Sequence, residues 1–525
     1  MQCTVGIASN SLIVDPLVAS ADRIFWRALG ITTILKLLIA ALIPLTGDEA
    51  YFVIWGEHLD YGYYDHGAMT GWWLAAVLSI GKSVLLVRLP AVLTTVAIGL
   101  LLWRTLRSID AQKAGWVAAL YLWSPHSMAN IFMTTDTPLI FFSAVSGVFA
   151  FRACREDRKI DYLLCGVFLG LAFLSKYFAV LLGLSYAVLF LFCIGRPRVV
   201  GLLIIFVGVL PFAAINVLWN YNHGWTNIVF NFYTRQQEAH VSILTVVTFI
   251  GTTLLLIGPL AWPLFAPRFQ DRYPVARARQ NWRHTGLIAF VIAFVVPHFV
   301  LLIVSFNNRI GLHWSLSFYP FLFAVLPGLF ALGALARIAR GMAVVGGITF
   351  IVMMIVALLP VEVARRHPSY ASVVISNHAD EVLAKLKAIK PDSLITTPSY
   401  SKSSLLSFHH DQYVPVIGNG SFHARQDDLI TDVRTLENRD VLVLTHKQEQ
   451  ADECLRWFDR TEILQFEVRG AQFYVVDGRS FRYASYRRRI LRKVVNDYYQ
   501  PPEWLARRSP PSPFLERYDL VESKP

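Results

Sequence analysis

The chain has 525 residues, of which 55% are hydrophobic and 16% charged, and it carries a formal net charge of +12. So apolar a balance excludes an ordinary soluble protein and describes a polytopic α-helical membrane protein. The positive charge does not call for nucleic acid, because Lys and Arg collect in the cytoplasmic loops of membrane proteins and on surfaces that meet anionic headgroups.

Residues 1–22 lack the basic stretch and compact apolar core of a cleaved signal peptide. They read as a cytoplasmic N-terminal tail ahead of an uncleaved first span. Apolar runs near 24–45, 84–103, 114–133, 137–151, 161–176, 178–195, 199–219, 243–266, 285–305, 311–336 and 342–360 predict about eleven spans within a transmembrane region 23–362. With the N-terminus cytoplasmic, Arg104, Arg107, Lys113, Arg152, Arg155, Arg158, Lys159, Arg196, Arg198, Arg337 and Arg340 fall on the cytoplasmic side. Asp48, Glu57, Asp60, Asp65 and Asp136 fall on the other, together with the polar region 363–525. That region reads as a soluble extracytoplasmic domain, periplasmic if the membrane is a bacterial inner membrane. A helical pattern at 380–389 and strand-like runs at 440–445 and 471–477 predict an α/β or α+β fold for it. The basic run 479–493 reads equally as a solvated helix or as a surface for anionic lipid. The 5 cysteines have neither disulfide nor metal-site spacing.

Several polar residues stand where apolar runs end. In the outer loop 46–83, a helix starting near Asp48 places Phe52, Trp55 and Leu59 on one stripe, as a helix lying in the interface would. Asp48 and Glu49 read equally as a capping pair and as catalytic groups. Asp136, in "IFMTTDTPLIFF", either caps the fourth span or joins Asp48 as a second functional acid. Lys176, in "GLAFLSKYFAVLLG", suits the phosphate of a lipid-linked ligand, with an ion pair to Asp136 or Asp48 as the alternative. Lys36 reads as a snorkelling side chain and Arg88 as a structural partner. The segment "NVLWNYNHGWTNIVFNF" holds His223 and Trp225 among amides that bind sugar hydroxyls, or that form an interfacial belt. Arg309, His313 and Trp314 stand at the outer end of the tenth expected span. No Walker loop, Rossmann glycine pattern, zinc spacing or nucleophile elbow is present, which argues against a nucleotide-sugar donor.

Taken in order, the acidic pair, "YYDHGAMTGWW", "VRLP", "TTDTPL", "GLAFLSKY", "WNYNHGW" and "LHWSLSFYP" resemble the integral-membrane glycosyltransferases of family 39, of GT-C fold. The superfamily includes protein O-mannosyltransferases, the lipid A aminoarabinose transferase and galacturonosyltransferases of the lipopolysaccharide core. The resemblance covers roughly residues 23–335 and extends weakly to "SYSKSSLLSFHHDQYVPVIGNGSFHARQDDL" in the tail. It implies a polyprenyl-phosphate-linked sugar as donor and an extracytoplasmic active site. On it, Asp48 is the catalytic base, Glu49 its neighbour and Asp136 the second loop acid, while Lys176 and Arg309 meet the donor phosphate. Tyr64, His66, His223, Trp225, His313 and Trp314 are the implied substrate-binding residues. Where many bacterial members read Asp-His-Pro-Pro, this chain reads Asp65-His66-Gly67-Ala68.

The function so implied is inverting transfer of a sugar to an envelope glycolipid, lipopolysaccharide core or lipid A. No cofactor and no metal ligand are assigned, with room left for a divalent cation. Membrane lipids are the other expected partners. Protein O-glycosylation stays open, as does a lipid-linked sugar transporter or flippase, which polar residues at mid-membrane would favour.

Overall fold

The computed structural model describes residues 16–236, 242–265, 272–410, 412–507 and 510–520. Most of the expected N-terminal tail lies outside them, and the first long helix, α1 (Pro16–Leu42), already begins within its last residues. The outer segment holds α2 (Gly47–Glu57) and α3 (Met69–Leu78). Then come α4 (Val84–Arg107), α5 (Ala111–Leu122), α6 (Pro125–Ala129), α7 (Asp136–Glu156) and α8 (Lys159–Ser175). They are followed by α9 (Ala179–Val188), α10 (Val199–Asn222), α11 (Thr226–Phe232), α12 (Ile243–Ile257) and α13 (Ala261–Phe265). The apolar region closes with α14 (Val275–Thr285), α15 (Ile288–Val304), α16 (Tyr319–Val325) and α17 (Leu332–Leu358).

Among the described residues, six helical stretches are long and apolar enough to cross a membrane: α1, α4, α7, α10, Ile243–Phe265 and α17. The pair Ala276–Thr285 and Ile288–Val304, bent by 115°, adds one more if it is counted as a single span. Several runs expected as single spans are shorter or broken. The run 114–133 divides at Ser124-Pro125, where Ser124 Oγ caps α6 by accepting from the Ser127 N–H. The run 311–336 opens as a 3-10 turn, Leu312–Phe318, and is interrupted again at Pro327. A proline has no N–H to give the preceding turn, so hydropathy continues across these points while the helix does not. Lys36 does not snorkel: it is buried and donates to Thr95 Oγ1 at 3.0 Å and to Ser127 Oγ. Small residues bring helices into backbone contact. A Cβ on Gly166 would lie 2.2 Å from the carbonyl oxygen of Ile205, so α8 and α10 meet there with no side chain between them.

The C-terminal region starts with α18 (Tyr370–Ile389), β1 (Leu394–Thr396) and α19 (Tyr400–His409), and continues to β2 (Val441–Thr445), β3 (Phe458–Val468) and β4 (Ala471–Phe481). The sheet order is β1-β2-β4-β3, with β1 and β2 parallel and the other pairs antiparallel. Arg469 and Gly470 turn the β3–β4 hairpin with positive φ at both positions (51° and 79°), the requirement of a two-residue turn matched to strand twist. The basic run forms the end of β4 and a following helix, with Arg488, Arg489, Arg492 and Lys493 exposed and Tyr486, Ile490 and Leu491 buried. The region is joined to α2 through its core: Tyr51, Val53 and Trp55 pack in one apolar cluster with Val374, Leu383, Leu405 and Phe473.

Candidate active site

The outer helix α2 starts at a capping box. Thr46 Oγ1 accepts from the Glu49 N–H at 3.2 Å, and Glu49 Oε2 accepts from the Thr46 N–H at 3.1 Å. Glu49 also takes Arg88 Nε at 2.8 Å and Nη2 at 2.7 Å, and both side chains are fully buried. With its oxygens further engaged by the Met133 N–H, Glu49 has no access to solvent and is not part of the wall of the cavity that Asp48 lines. Its geometry is that of a group that ties segments together, whereas the expectation placed it beside Asp48 as a catalytic group. Successive helical residues point about 100° apart, so the neighbour that faces the core leaves Asp48 facing out.

Asp48 is exposed into a cavity of about 470 Å³. The outer segment contributes Tyr51, Asp65 and His66 to its wall, and the turn leading into α7 contributes Asn130, Thr134, Thr135 and Asp136. Lys176, Phe230, Arg235, His313 and Leu316 continue the wall, and Tyr400, Phe422 and His423 reach in from the C-terminal region. The cavity thus gathers Asp48, Asp136, Lys176, His66 and His313 from segments far apart in the chain.

Lys176 follows the last turn of α8 in an extended conformation, which carries its side chain across to the start of α7. Its ammonium lies 3.0 and 2.9 Å from the two Asp136 oxygens, both groups nearly fully buried. Of the two readings of Lys176, this is the ion pair. Asp136 does not cap α7 through its side chain; Thr135 holds the cap position. The remaining cation is Arg235, whose guanidinium lies 5.1 Å above the Trp314 ring and has no carboxylate partner among the described residues.

Asp65 receives the Tyr51 hydroxyl at 3.2 Å. Burial pushes its carboxyl up to about 7; Asp48 adds to that shift, while the Tyr51 hydrogen bond and Arg235 oppose it. Burial, with Lys176 and Arg235 nearby, holds the His66 imidazole well below its usual range, so it is neutral. Gly67 explains the departure from the Asp-His-Pro-Pro pattern. A Cβ at this position would sit 2.1 Å from the Leu174 carbonyl oxygen, so the turn packs directly on the end of α8 and sets His66 beside Lys176.

Five further expected site residues stand away from the cavity wall. Tyr64 is fully buried against Phe230 and Tyr499. His223 stacks on Trp219 at 4.1 Å. Trp225 occupies the turn before α11 with φ of 62°. Arg309 is exposed elsewhere, and Trp314 lies behind the wall, packed on Phe178 at 4.8 Å and beneath Arg235. The amides near His223 hold the outer segment in shape: Asn227 donates to the Tyr63 carbonyl at 2.8 Å and Asn231 to that of Asp65 at 3.0 Å. Sequence reasoning missed Tyr51, Arg235, Tyr400 and His423. The signal for the last two was the tail segment "SYSKSSLLSFHHDQYVPVIGNGSFHARQDDL", which contains both. Among the described residues no three His, Cys, Asp or Glu side chains are grouped to hold a metal ion.

Residues 65–219 match the family model described as dolichyl-phosphate-mannose-protein mannosyltransferase. Lipid A galacturonosyltransferase RgtD of Rhizobium johnstonii is 30% identical over 253 residues, which are 46% of this chain and 52% of that protein. The chain therefore spans about half the length of this curated relative. Two crystal structures of ArnT from Cupriavidus metallidurans, one bound to undecaprenyl phosphate and one in the apo state, align with a TM-score of 0.60 at 13% identity. The alignments cover 86% and 87% of this chain, and 97% and 98% of ArnT. The protein is an integral membrane protein with the GT-C fold of ArnT, and the resemblance carried by the motif order holds.

Proposed function

We propose that the protein is an inverting glycosyltransferase that moves a sugar from a polyprenyl-phosphate donor to an envelope glycolipid on the periplasmic face of the inner membrane. The observation that carries this reading is a single cavity in which an exposed carboxylate, Asp48, shares the wall with the cations Arg235 and Lys176. Asp48 takes the proton of an acceptor hydroxyl, whose oxygen attacks the anomeric carbon as the bond to the lipid phosphate breaks. The leaving phosphate gains charge, and the guanidinium of Arg235 stabilises it through paired N–H donors. Lys176 lines the same wall with its ammonium paired to Asp136, which keeps that charge balanced beside Arg235. A single displacement inverts the anomeric centre.

The complex of ArnT with undecaprenyl phosphate supports a polyprenyl-phosphate donor, and the name of RgtD supports lipid A as acceptor and galacturonic acid as sugar. The description of the matched family, a protein mannosyltransferase, keeps protein O-glycosylation as the second reading. The distribution of Lys and Arg among the loops supports a periplasmic site. Mass spectrometry of lipid A and core from cells lacking the protein tests the proposal. Loss of one sugar residue from either, restored by the wild-type chain and not by Asp48→Asn, is the expected result. Unchanged glycolipids together with an underglycosylated envelope protein would transfer the proposal to the second reading.

A further inference from the structure

We infer that the C-terminal region completes the site, with Tyr400 as the positioning residue that fixes the carboxylate of Asp48. The inference rests on the reading of Asp48 as the base. Tyr400, the first residue of α19, donates its hydroxyl to Asp48 Oδ1 at 2.8 Å across 352 residues of chain. Its ring stands edge-on to Tyr51 at 5.4 Å and to His423 at 5.3 Å, and all of these side chains line the cavity.

The contact is built from both sides. Gly47, the first residue of α2, abuts Ser401, the second residue of α19. A Cβ on Gly47 would lie 2.4 Å from that of Ser401, so the two helix starts meet this closely only because Gly47 has none. Three hydrogen bonds hold the same two bodies together. The Gln426 N–H donates to the Tyr51 hydroxyl at 3.1 Å, the Tyr64 N–H donates to Gln426 Oε1 at 2.9 Å, and Lys82 donates to the Ser407 carbonyl at 3.3 Å. On the other flank, the buried ion pair of Glu49 with Arg88 fixes the rotation of α2. Asp48 is then left with the freedom of its own side-chain torsions, and the Tyr400 hydroxyl removes it. With Oδ1 engaged, Oδ2 is the oxygen presented to an acceptor hydroxyl. Burial and the Asp48 charge push the Tyr400 phenol far above its usual range, so it stays a donor at any working pH. A base held in one orientation has a larger fraction of reactive geometries, which raises kcat and leaves ground-state binding alone.

The experiment uses the full-length protein in lipid nanodiscs with a polyprenyl-phosphate sugar and a glycolipid acceptor. Tyr400→Phe keeps the ring in the wall and removes the hydrogen bond. We expect kcat to fall about tenfold, the scale of one hydrogen bond to a charged group, with KM for the donor unchanged. Gly47→Ala, which presses on Ser401 and leaves the capping box of α2 in place, lowers kcat in the same way. A change in donor KM with kcat intact would make Tyr400 a binding wall and overturn the inference, as would wild-type kinetics in Tyr400→Phe. The contact is checked without turnover by a thermal-unfolding cycle of Asp48→Ala and Tyr400→Phe. Shifts that are not additive support it, and additive shifts overturn it. Failure of the wild-type chain to transfer any sugar, beside a non-additive cycle, would refute the base reading of Asp48 and leave the contact standing.

Discussion

Asp48 and Glu49 are neighbours with opposite environments, and exchanging each carboxylate for its amide separates them. Glu49→Gln keeps size and shape and removes one charge from a pair in which both side chains have no exposed surface. Arg88 would keep its hydrogen bonds to the carbonyls of Ala40, Ile43 and Pro44, at 3.1, 2.5 and 2.8 Å, and lose its counter-charge. An uncompensated cation in such surroundings costs about 3–5 kcal/mol. Weakening the capping box at Thr46 adds about 1 kcal/mol. Because Arg88 and Glu49 tie the end of α1, the start of α2, α4 and the turn at Met133 together, the loss falls on the whole outer segment. Thermal unfolding of the protein in detergent, followed by tryptophan fluorescence, is the assay. Glu49→Gln should unfold several degrees lower, and removing both charges with Glu49→Gln and Arg88→Met should recover most of the difference. Asp48→Asn should unfold near the wild-type temperature and fail to transfer sugar. A Glu49→Gln protein with wild-type unfolding and no transfer would refute the structural reading of Glu49 and return it to the chemistry.

Three other substitutions address the cavity. Asp65 is 6% exposed with its carboxyl raised to about 7, against 3.8 for the free group. The folded form therefore keeps a proton that the unfolded chain releases, and stability is lost as pH rises from about 4 to 7, by on the order of 4 kcal/mol. Asp65→Asn removes that dependence. The unfolding temperature of the wild type should fall relative to the variant over this range and run parallel above it; a constant difference would contradict the assignment. Lys176→Met leaves Asp136 as a buried unpaired charge and should destabilise more than Lys176→Met combined with Asp136→Asn, measured by the same unfolding assay. Arg235→Ala breaks no ion pair among the described residues, so unfolding should change little while donor KM rises about tenfold or more; a large stability loss with normal KM would remove Arg235 from phosphate binding.

What the sequence made legible was set by local physics. Apolar length and period located most of the helices, and strand-like runs at 440–445 and 471–477 became β2 and β4. The order of the motifs was enough to bring Asp48, His66, Asp136, Lys176 and His313 to one cavity. Glu49 stands beside Asp48 in the sequence and faces the core, since neighbours on a helix face different ways. His223 and Trp225 stand outside the cavity wall, and the amides near them, Asn227 and Asn231, bind the backbone of the outer segment. Arg235 lay in "NFYTRQQEAH", between Thr234 and Gln236, where polar neighbours on both sides did not mark the charge as costly. The tail segment that resembles other members contains Tyr400, but its meeting with Asp48 is a contact 352 residues long, which no local periodicity encodes.

The charges of the cavity bear on why it suits a displacement from phosphate. Asp136 and Lys176 neutralise each other at the wall, which leaves Asp48 and Arg235 as the groups of opposite sign with no ion-pair partner of their own among the described residues. In the proposed reaction Asp48 loses its negative charge to a proton at the step in which the departing phosphate gains one. The sum of charges in the cavity does not change; the negative charge moves from Asp48 towards the phosphate held at Arg235. A site built this way needs no net charge to enter from water during the reaction, and its fixed guanidinium is already oriented by the Trp314 face before the phosphate leaves.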